Sequence, residues 1–200
     1  MSIKISHKKK ISDKTIKNYV LFTNEDFVIS GLKNIYLSKN SALINKTIKS
    51  NKTKKNDIIS FNLNSDQKII LIKIKKNQTP TENEKKGANF YNFIKSNLLT
   101  NLTFLDKNIY EIQAKNKSFI DEFLHGLQIK SYEFDKYKTK KEIIDINIVI
   151  SFTKKIPSTN KNNRFFSLLE GTNFTKDLVS EPGNILHPDE YARRILKLKK

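Results

Sequence analysis

The segment IDINIVISF, residues 144–152, alternates isoleucine with polar residues along most of its length. In an extended chain, side chains two residues apart lie on the same face. The isoleucines therefore share one face and Asp145, Asn147 and Ser151 share the other, while Val149 breaks the alternation. The pattern predicts a strand with one buried face.

Three further strands are predicted nearer the N-terminus. Residues 19–22 (YVLF) form a short apolar run, residues 59–63 alternate apolar with polar side chains, and residues 69–74 are almost continuously apolar. The last two segments predict neighbouring strands joined by a hairpin at residues 64–66, with the second strand more deeply buried than the first.

Two lysine-rich segments interrupt this pattern. The first fifteen residues include consecutive lysines at positions 8–10, and residues 46–55 contain lysine and asparagine without apolar periodicity. The first segment predicts a solvated start of the chain, and the second predicts an exposed loop between two elements.

Helical spacing predicts two helices in the middle of the chain. Thr81 and Glu84 predict a capping box at the start of the first helix, whose apolar residues continue to Leu98. The second helix is predicted from about Ser118, where an apolar stripe follows and acidic residues suit the N-terminal end of the helix dipole. Gly126 inside this helix indicates close packing.

Two more helices are predicted at the C-terminal end. Residues 164–179 have helical spacing, and this helix must end near Ser180 because Glu181 precedes Pro182 and is pushed out of the helical region. Pro188 suits the first position of the next helix. Within the first of the two, small residues fall four apart, a stripe that lets another backbone approach closely: Ser167, Gly171 and Thr175.

Strands that alternate with helices predict an α/β fold in which helices flank a mixed sheet. We expect this domain to end between Phe152 and Asn162. The composition suits such a core, because 37% of the 200 residues are hydrophobic and thirteen are phenylalanine.

Composition also excludes several classes of protein. The chain has no cysteine, so it has neither a disulfide framework nor a thiolate site. No window approaches the roughly 18 to 20 consecutive apolar residues that span a bilayer. The N-terminus MSIKISHKKK lacks the apolar stretch of a secretory signal. These features predict a cytoplasmic protein with no membrane partner.

The formal net charge of +18 favours a nucleic-acid-binding basic α/β module as an alternative function. Against it, only Arg164, Arg193 and Arg194 are arginines, and arginine is the residue that reads bases through its bidentate fork. The many lysines are scattered among asparagine and isoleucine, as in an AT-rich coding sequence.

Few residues could carry catalysis. The five glycines are too far apart for a phosphate-binding loop, and His7, His125 and His187 have no metal-ligand spacing. Asp177 and Glu181 could form an acid–base pair, but a helix-end charge pair with the neighbouring lysine at 176 explains them more simply. The sequence predicts no catalytic, cofactor-binding or metal-binding residue in this chain.

The C-terminal stretch GTNFTKDLVSEPGNILHPDEYA, residues 171–192, resembles the connector of the leucyl aminopeptidase family. That connector is usually written as a small-residue helix followed by A-R-D-L-x-N-x-P-x-N, then two residues and often T-P. The departures are Thr175-Lys176 for Ala-Arg, Ser180 for Asn and His187 for Thr. The matching positions are Asp177, Leu178, Pro182, Asn184 and Pro188.

A second stretch, FLHGLQIKSYEFDKYKTKK at residues 123–141, is similar to the family pattern G-x-x-L-x-x-Y-x-F-x-x-Y-K. Ile129 stands at the leucine position. Two separated matches in the family's order strengthen the resemblance, which covers the chain from about Gly87 onward. Without the family resemblance, Tyr132, Phe134 and Tyr137 would be interpreted as packing residues and the lysines around them as solvated.

The resemblance implies a macro-domain-like N-terminal domain at residues 1–156, followed at 157–200 by a helical connector and the truncated start of a catalytic domain. Family members form hexamers and cleave peptides with two divalent metals, manganese or zinc, held by motifs such as N-T-D-A-E-G-R. This chain lacks that motif. It is therefore expected to be inactive alone and to bind no cofactor. An ADP-ribose-binding role would be a third possibility, but the glycine-rich phosphate loop is missing.

Overall fold

A computed structural model describes residues 2–9, 11–29, 37, 40–51, 56–113, 116–139, 145–153 and 164–198. The six strands are β1 (Ser2–Lys9), β2 (Asn18–Thr23), β3 (Ile58–Asn62), β4 (Lys68–Lys73), β5 (Asn101–Leu105) and β6 (Asp145–Phe152). The helices are α1 (Ser41–Asn51), α2 (Pro80–Ser96), α3 (Asp106–Gln113), α4 (Phe119–Ser131), α5 (Arg164–Ser180) and α6 (Pro188–Leu196).

The strands form one mixed sheet in the order β1-β6-β5-β2-β4-β3. All neighbours are parallel except β3 and β4, which form the antiparallel hairpin that the sequence predicts at residues 64–66. The predicted fold class is confirmed as an α/β fold with a mixed sheet flanked by helices. The clearest predicted strand is β6, and Ile146, Ile148 and Ile150 on it are fully buried.

Each face of the sheet covers a separate hydrophobic core, because successive strand residues point to opposite faces. Val20 and Phe22 of β2 contribute to the larger core, which also contains the aromatic residues of α2 and α4. Tyr19 and Leu21 contribute to the smaller core, where α1 supplies Ile44. Three layers result, with the buried central strands between helices on both sides.

Helices α2 and α4 approach each other at two glycines. A Cβ atom at Gly126 would lie 1.9 Å from the carbonyl oxygen of Glu84, and one at Gly87 would lie 1.9 Å from that of Phe123. Only a residue without a side chain fits at either position, so the close packing predicted from Gly126 is confirmed. The two helices then enclose Phe90 and Phe123, whose ring centroids are 5.7 Å apart.

Two predictions about lysine-rich segments are wrong. The first fifteen residues are not simply a solvated start, because residues 2–9 form edge strand β1, parallel to β6. Ile3 and Ile5 pack on the larger core while Lys4 and Lys8 are exposed. The predicted loop at residues 46–55 is helical as far as Asn51, since Ile44 and Ile48 are four residues apart and buried together. Residues 52–55 lie outside the described part.

The start of α2 also differs from the prediction. The capping box is formed by Thr79 and Glu82, not by Thr81 and Glu84: the Glu82 amide donates to the Thr79 hydroxyl, and the Thr79 amide donates to the Glu82 carboxylate at 2.8 Å. Leu98 lies past the end of the helix with a φ of 51° and is exposed. Strand β5 and helix α3, which follow, were not predicted.

Asn108 of α3 completes the hydrogen bonding of β2. The last paired residues of β2 and β5 are Val20 and Phe104. Beyond them, the Phe22 amide donates to Asn108 Oδ1 at 2.7 Å, and Asn108 Nδ2 donates to the Phe22 carbonyl at 2.9 Å. Asn108 is fully buried, so one side chain replaces two bonds of the sheet ladder.

We expect Asn108→Ala to lower the free energy of unfolding by about 3 kcal/mol, because it leaves two buried backbone groups without partners. The matched control is Asn92→Ala on the exposed side of α2, where no measurable loss is expected. Urea denaturation of both variants measures the difference. Equal midpoints for the two variants would contradict the role given to Asn108.

The C-terminal helices α5 and α6 agree with the prediction: α5 ends at Ser180 and α6 begins at Pro188. His187 occupies the N-cap position of α6, although its side chain makes no capping hydrogen bond. The predicted domain boundary between Phe152 and Asn162 falls largely on residues outside the described ranges. Among the described residues, no helix is both long and apolar enough to cross a membrane.

Candidate functional site at the junction of two motif segments

The two stretches that carry the family resemblance meet in space. Residues 132–137 follow α4, while Asp177 and Glu181 lie at the end of α5 and just beyond it. The Tyr132 hydroxyl donates to Asp177 Oδ1 at 2.6 Å, and the Tyr137 hydroxyl donates to Glu181 Oε2. Contacts between residues about 45 apart in the sequence therefore join the two segments.

Glu181 is the centre of this junction. Its side chain is only 1% exposed, and Lys136 Nζ lies 2.5 Å from Oε1. Arg194 of α6 donates to the same oxygen at 3.0 Å. These hydrogen bonds, first from Lys136, then from Tyr137 and Arg194, lower the pKa of Glu181 from 4.5 to about 2, against the opposing effect of burial.

A second contact lies one helical turn earlier. Lys176 Nζ donates to the Ile129 carbonyl at 2.9 Å and lies 5.0 Å from the centroid of the Tyr132 ring. Burial and then the hydrogen bond to Asp177 raise the pKa of Tyr132 to about 12. The predicted helix-end pairing of Asp177 and Glu181 with Lys176 is therefore wrong, because both carboxylates bond to the segment after α4 instead.

Arg194 lies on α6 and therefore connects the junction to that helix. Arg194 Nε donates to Glu190 Oε1 at 2.8 Å, and Arg193 binds the same carboxylate through two hydrogen bonds of 2.6 Å. Bidentate arginine–carboxylate pairs of this kind fix orientation as well as adding energy. The turn between α5 and α6 is therefore held at a defined angle to the segment that follows α4.

This junction is suited to a structural role and not to proton transfer. A carboxylate with three donors and a pKa near 2 stays ionised at neutral pH and is a poor proton acceptor. The small cleft beside it, about 420 Å³, is lined by Phe134, Phe174 and Leu178 as well as the paired charges. Within the described ranges, no group of three or more histidine, aspartate or glutamate residues could hold a metal ion.

The three histidines lie on different elements: His7 on β1, His125 on α4 and His187 at the N-cap of α6. His125 of α4 is buried, with Nδ1 2.8 Å from the Glu84 carboxylate of α2 and its ring 5.2 Å from the Phe165 ring of α5. His7 is half-buried on β1, where burial lowers its pKa. The sequence offered no signal for the contact between His125 and Glu84, since the two residues lie on different helices.

Comparison with known proteins gives similar sequences and similar folds. A probable cytosol aminopeptidase of Rhodopseudomonas palustris (strain BisA53) is 35% identical over 79 residues, which are 38% of this chain and 16% of that relative. The structure of a tomato leucine aminopeptidase mutant superposes on 98% of the chain with a TM-score of 0.68 at 16% identity. Over the matched residues, the chain is therefore similar in sequence to cytosol aminopeptidases, and it shares the fold of a leucine aminopeptidase.

Two further solved structures share the fold of this chain. The cytosol aminopeptidase of Coxiella burnetii covers 96% of the chain with a TM-score of 0.61 at 11% identity. The bottromycin maturation enzyme BotP in complex with Mn covers 92% with a TM-score of 0.59. The chain spans only 42% of the tomato protein and 36% of each of these two. No family model matches the sequence.

Proposed function

We propose that this chain is the N-terminal, non-catalytic portion of a cytosol aminopeptidase whose full-length form removes N-terminal amino acids from peptides. The observation that carries the proposal is the contact between the two motif segments through Tyr137 and Glu181. Curated relatives named cytosol aminopeptidase support it.

In this proposal, residues 1–156 form a supporting domain and residues 157–200 form the connector with the start of the catalytic part. The ion pairs of Glu181 with Lys136 and Arg194 then set the direction in which the connector leaves the domain. Because buried charge pairs need precise geometry, they suit a joint that must keep one orientation.

The exposed apolar side chains of the connector support a role within a larger protein. Large apolar residues seldom lie together on the surface of an isolated chain. In α5 and α6 and the residues next to them, several are between 38% and 82% exposed: Val179, Ile185, Tyr191, Ile195, Leu196 and Leu198. We infer that these exposed apolar side chains pack against the catalytic part.

Two divalent metals, manganese or zinc, would be held by the catalytic part and not by the residues of this chain. Two such ions can activate a water molecule and stabilise the tetrahedral intermediate of peptide hydrolysis. The manganese complex of BotP, a protein of similar fold, is consistent with metal-dependent chemistry. The proposal also includes peptide substrates, a homo-oligomer of the hexameric kind and a cytosolic location.

Leucyl-anilide hydrolysis with added manganese tests this proposal. The purified 200-residue chain is expected to give no turnover above the buffer blank, because its described residues contain no metal-binding group. The protein expressed from the complete reading frame is expected to release leucine only with metal present. Turnover by the 200-residue chain would overturn the inactive assignment, and a metal-independent result for the longer protein would overturn the aminopeptidase assignment.

A further inference from the structure

A cleft of about 830 Å³ opens at the carboxyl ends of β2 and β4. This edge of an open α/β sheet is where ligands generally bind, because loops and helix ends converge there. Its inner wall is apolar and is formed in part by Phe22, Ile74 and Phe119, each at most 8% exposed. The cleft lies on the α/β domain, and it contains none of the junction residues around Glu181.

Glu122 is a buried carboxylate next to this cleft. Its Oε2 atom accepts hydrogen bonds from Asn83 Nδ2 at 2.7 Å and from Asn116 Nδ2 at 3.2 Å, and both asparagines line the cleft. Glu122 itself is 5% exposed, and no described cation forms a salt bridge with it. A buried charge without a counter-ion costs free energy, so a positive group in the cleft would be favourable.

Asn83 provides a second and independent indication. Asn83 is 1% exposed, and its Oδ1 atom is buried without a hydrogen-bond partner among the described groups. The bond from Nδ2 to Glu122 fixes the amide orientation, so the free end is an acceptor. A buried acceptor left unsatisfied costs about 1–3 kcal/mol. Among the described residues, Glu122 has no cationic partner and Asn83 Oδ1 has no hydrogen-bond donor at the inner end of the cleft.

The outer rim adds further acceptors. Glu25, Asp26 and Glu111 line the cleft, are exposed and form no salt bridge with any cation that the structure describes. Three lysines also line it, so carboxylates and lysines are equal in number among the described lining residues. The whole chain, by contrast, has 38 basic and 20 acidic residues. The described lining is therefore neutral, whereas the chain as a whole is strongly basic.

An anionic ligand is disfavoured at the same place. At the start of α2 the Thr79 and Glu82 amides are used in the capping box, and the first turn of α4 carries Asp121 and Glu122. A metal ion is also disfavoured, because the described residues include no cluster of metal-ligating side chains. A primary ammonium group would supply Glu122 and Asn83, at the inner end of the cleft, with a positive charge and several N–H donors.

We propose that this cleft binds an organic ammonium compound, a primary amine carried on an apolar body. The ammonium group donates to Asn83 Oδ1 at the inner end, near the Glu122 carboxylate, and the apolar body contacts Phe22 and Phe119. Neither the metal site nor the peptidase activity of the proposed full-length protein enters this inference, so it stands if that proposal fails.

Calorimetric titration of the 200-residue chain with phenethylamine tests the inference. Two probes of the same shape serve as controls: 2-phenylethanol, which has no charge, and phenylacetate, which has the opposite charge. Saturable binding of phenethylamine, at least about tenfold tighter than either control, is expected, since the charged donor contributes more than 1.4 kcal/mol. Equal affinity for 2-phenylethanol, tighter binding of phenylacetate or no saturable binding of the amine would overturn the proposal.

Variants at the rim locate the site. Glu111→Gln combined with Asp26→Asn is expected to weaken phenethylamine binding about fivefold, because two attractive charges are lost at an exposed rim. Glu170→Gln on the exposed side of α5 is the matched control and should leave the affinity unchanged. Both positions are exposed, so folding is expected to be retained and circular dichroism verifies it. Unchanged affinity in the double variant would place the amine elsewhere and overturn the assignment.

Discussion

Gly126→Ala is expected to lower the free energy of unfolding by at least about 3 kcal/mol, a large fraction of the stability of a typical domain. The new Cβ would lie 1.9 Å from the carbonyl oxygen of Glu84 and 2.5 Å from its Cα. Those are backbone atoms of a regular helix, so no side-chain rotation relieves the overlap. Helices α2 and α4 would have to separate, which loosens the contact between Phe90 and Phe123.

Gly171→Ala is the matched control for this substitution. Gly171 also lies inside a helix, but among the described residues no atom other than those of its own helix backbone and its chain neighbours comes within 4 Å of the position that its Cβ would occupy. Since alanine favours a helix over glycine by about 1 kcal/mol, this variant should be slightly more stable than the wild type. The two glycines therefore give opposite signs for the same chemical change.

Urea denaturation followed by circular dichroism measures both variants. A loss below about 1 kcal/mol for Gly126→Ala would show that α2 and α4 can shift apart without cost, which contradicts the close packing. Gly87→Ala gives a second measurement of the same contact, because its Cβ would lie 1.9 Å from the carbonyl oxygen of Phe123.

Elements with a strong apolar pattern were predictable from the sequence. Strand β6 and the start of helix α4 were placed within a residue or two, because Ile146, Ile148 and Ile150 alternate and because Phe119 begins a helical stripe. Gly126 was correctly interpreted as a contact point, although its partner could not be named, since Glu84 lies on another helix.

Elements whose apolar residues are few were missed. In β1, Ile3 and Ile5 alternate with polar residues, but the lysines that follow made the segment resemble a tail. In α1, Ile44 and Ile48 were outweighed by lysine and asparagine, although two buried residues are enough for a helix that packs by one edge. Composition describes the exposed face of such elements, while burial depends on a few positions.

The junction at Glu181 could be predicted only in part. The resemblance identified both segments, and the turn at Pro182 followed from backbone sterics. The pairing of Glu181 with Tyr137 and Lys136 depends on how α4 and α5 pack, which no local pattern encodes. The neighbouring Lys176 was chosen as partner because it is close in sequence, and tertiary structure overrides that proximity.

Glu181→Gln is expected to release α6 from the rest of the chain. The carboxylate accepts from Lys136, Tyr137 and Arg194, whereas an amide offers one acceptor oxygen and a donor NH₂ group that would face those donors. Two charged side chains would also lose their buried counter-ion. Amide hydrogen exchange of residues 188–196 is therefore expected to become fast while that of the sheet is unchanged.

Glu190→Gln is the control that separates this effect from loss of charge. Glu190 binds Arg193 and Arg194 but makes no hydrogen bond outside α6 in the described structure. Removing it should fray the first turn of α6 without releasing the helix. If the two variants exchange equally fast, the connector is held by its apolar contacts and not by Glu181.

The pH dependence of docking gives the sharpest test of Glu181. Its pKa is depressed in the folded protein from 4.5 to about 2, so its contribution to docking is complete above about pH 5 and is lost as the pH falls toward 2. The difference in α6 protection between wild type and Glu181→Gln should therefore be constant near neutral pH and shrink between these limits. Other acidic groups titrate alike in both proteins and cancel in the difference. A difference that grows on acidification has the wrong sign for an ionised carboxylate and would rule out this contact as the joint that orients the connector.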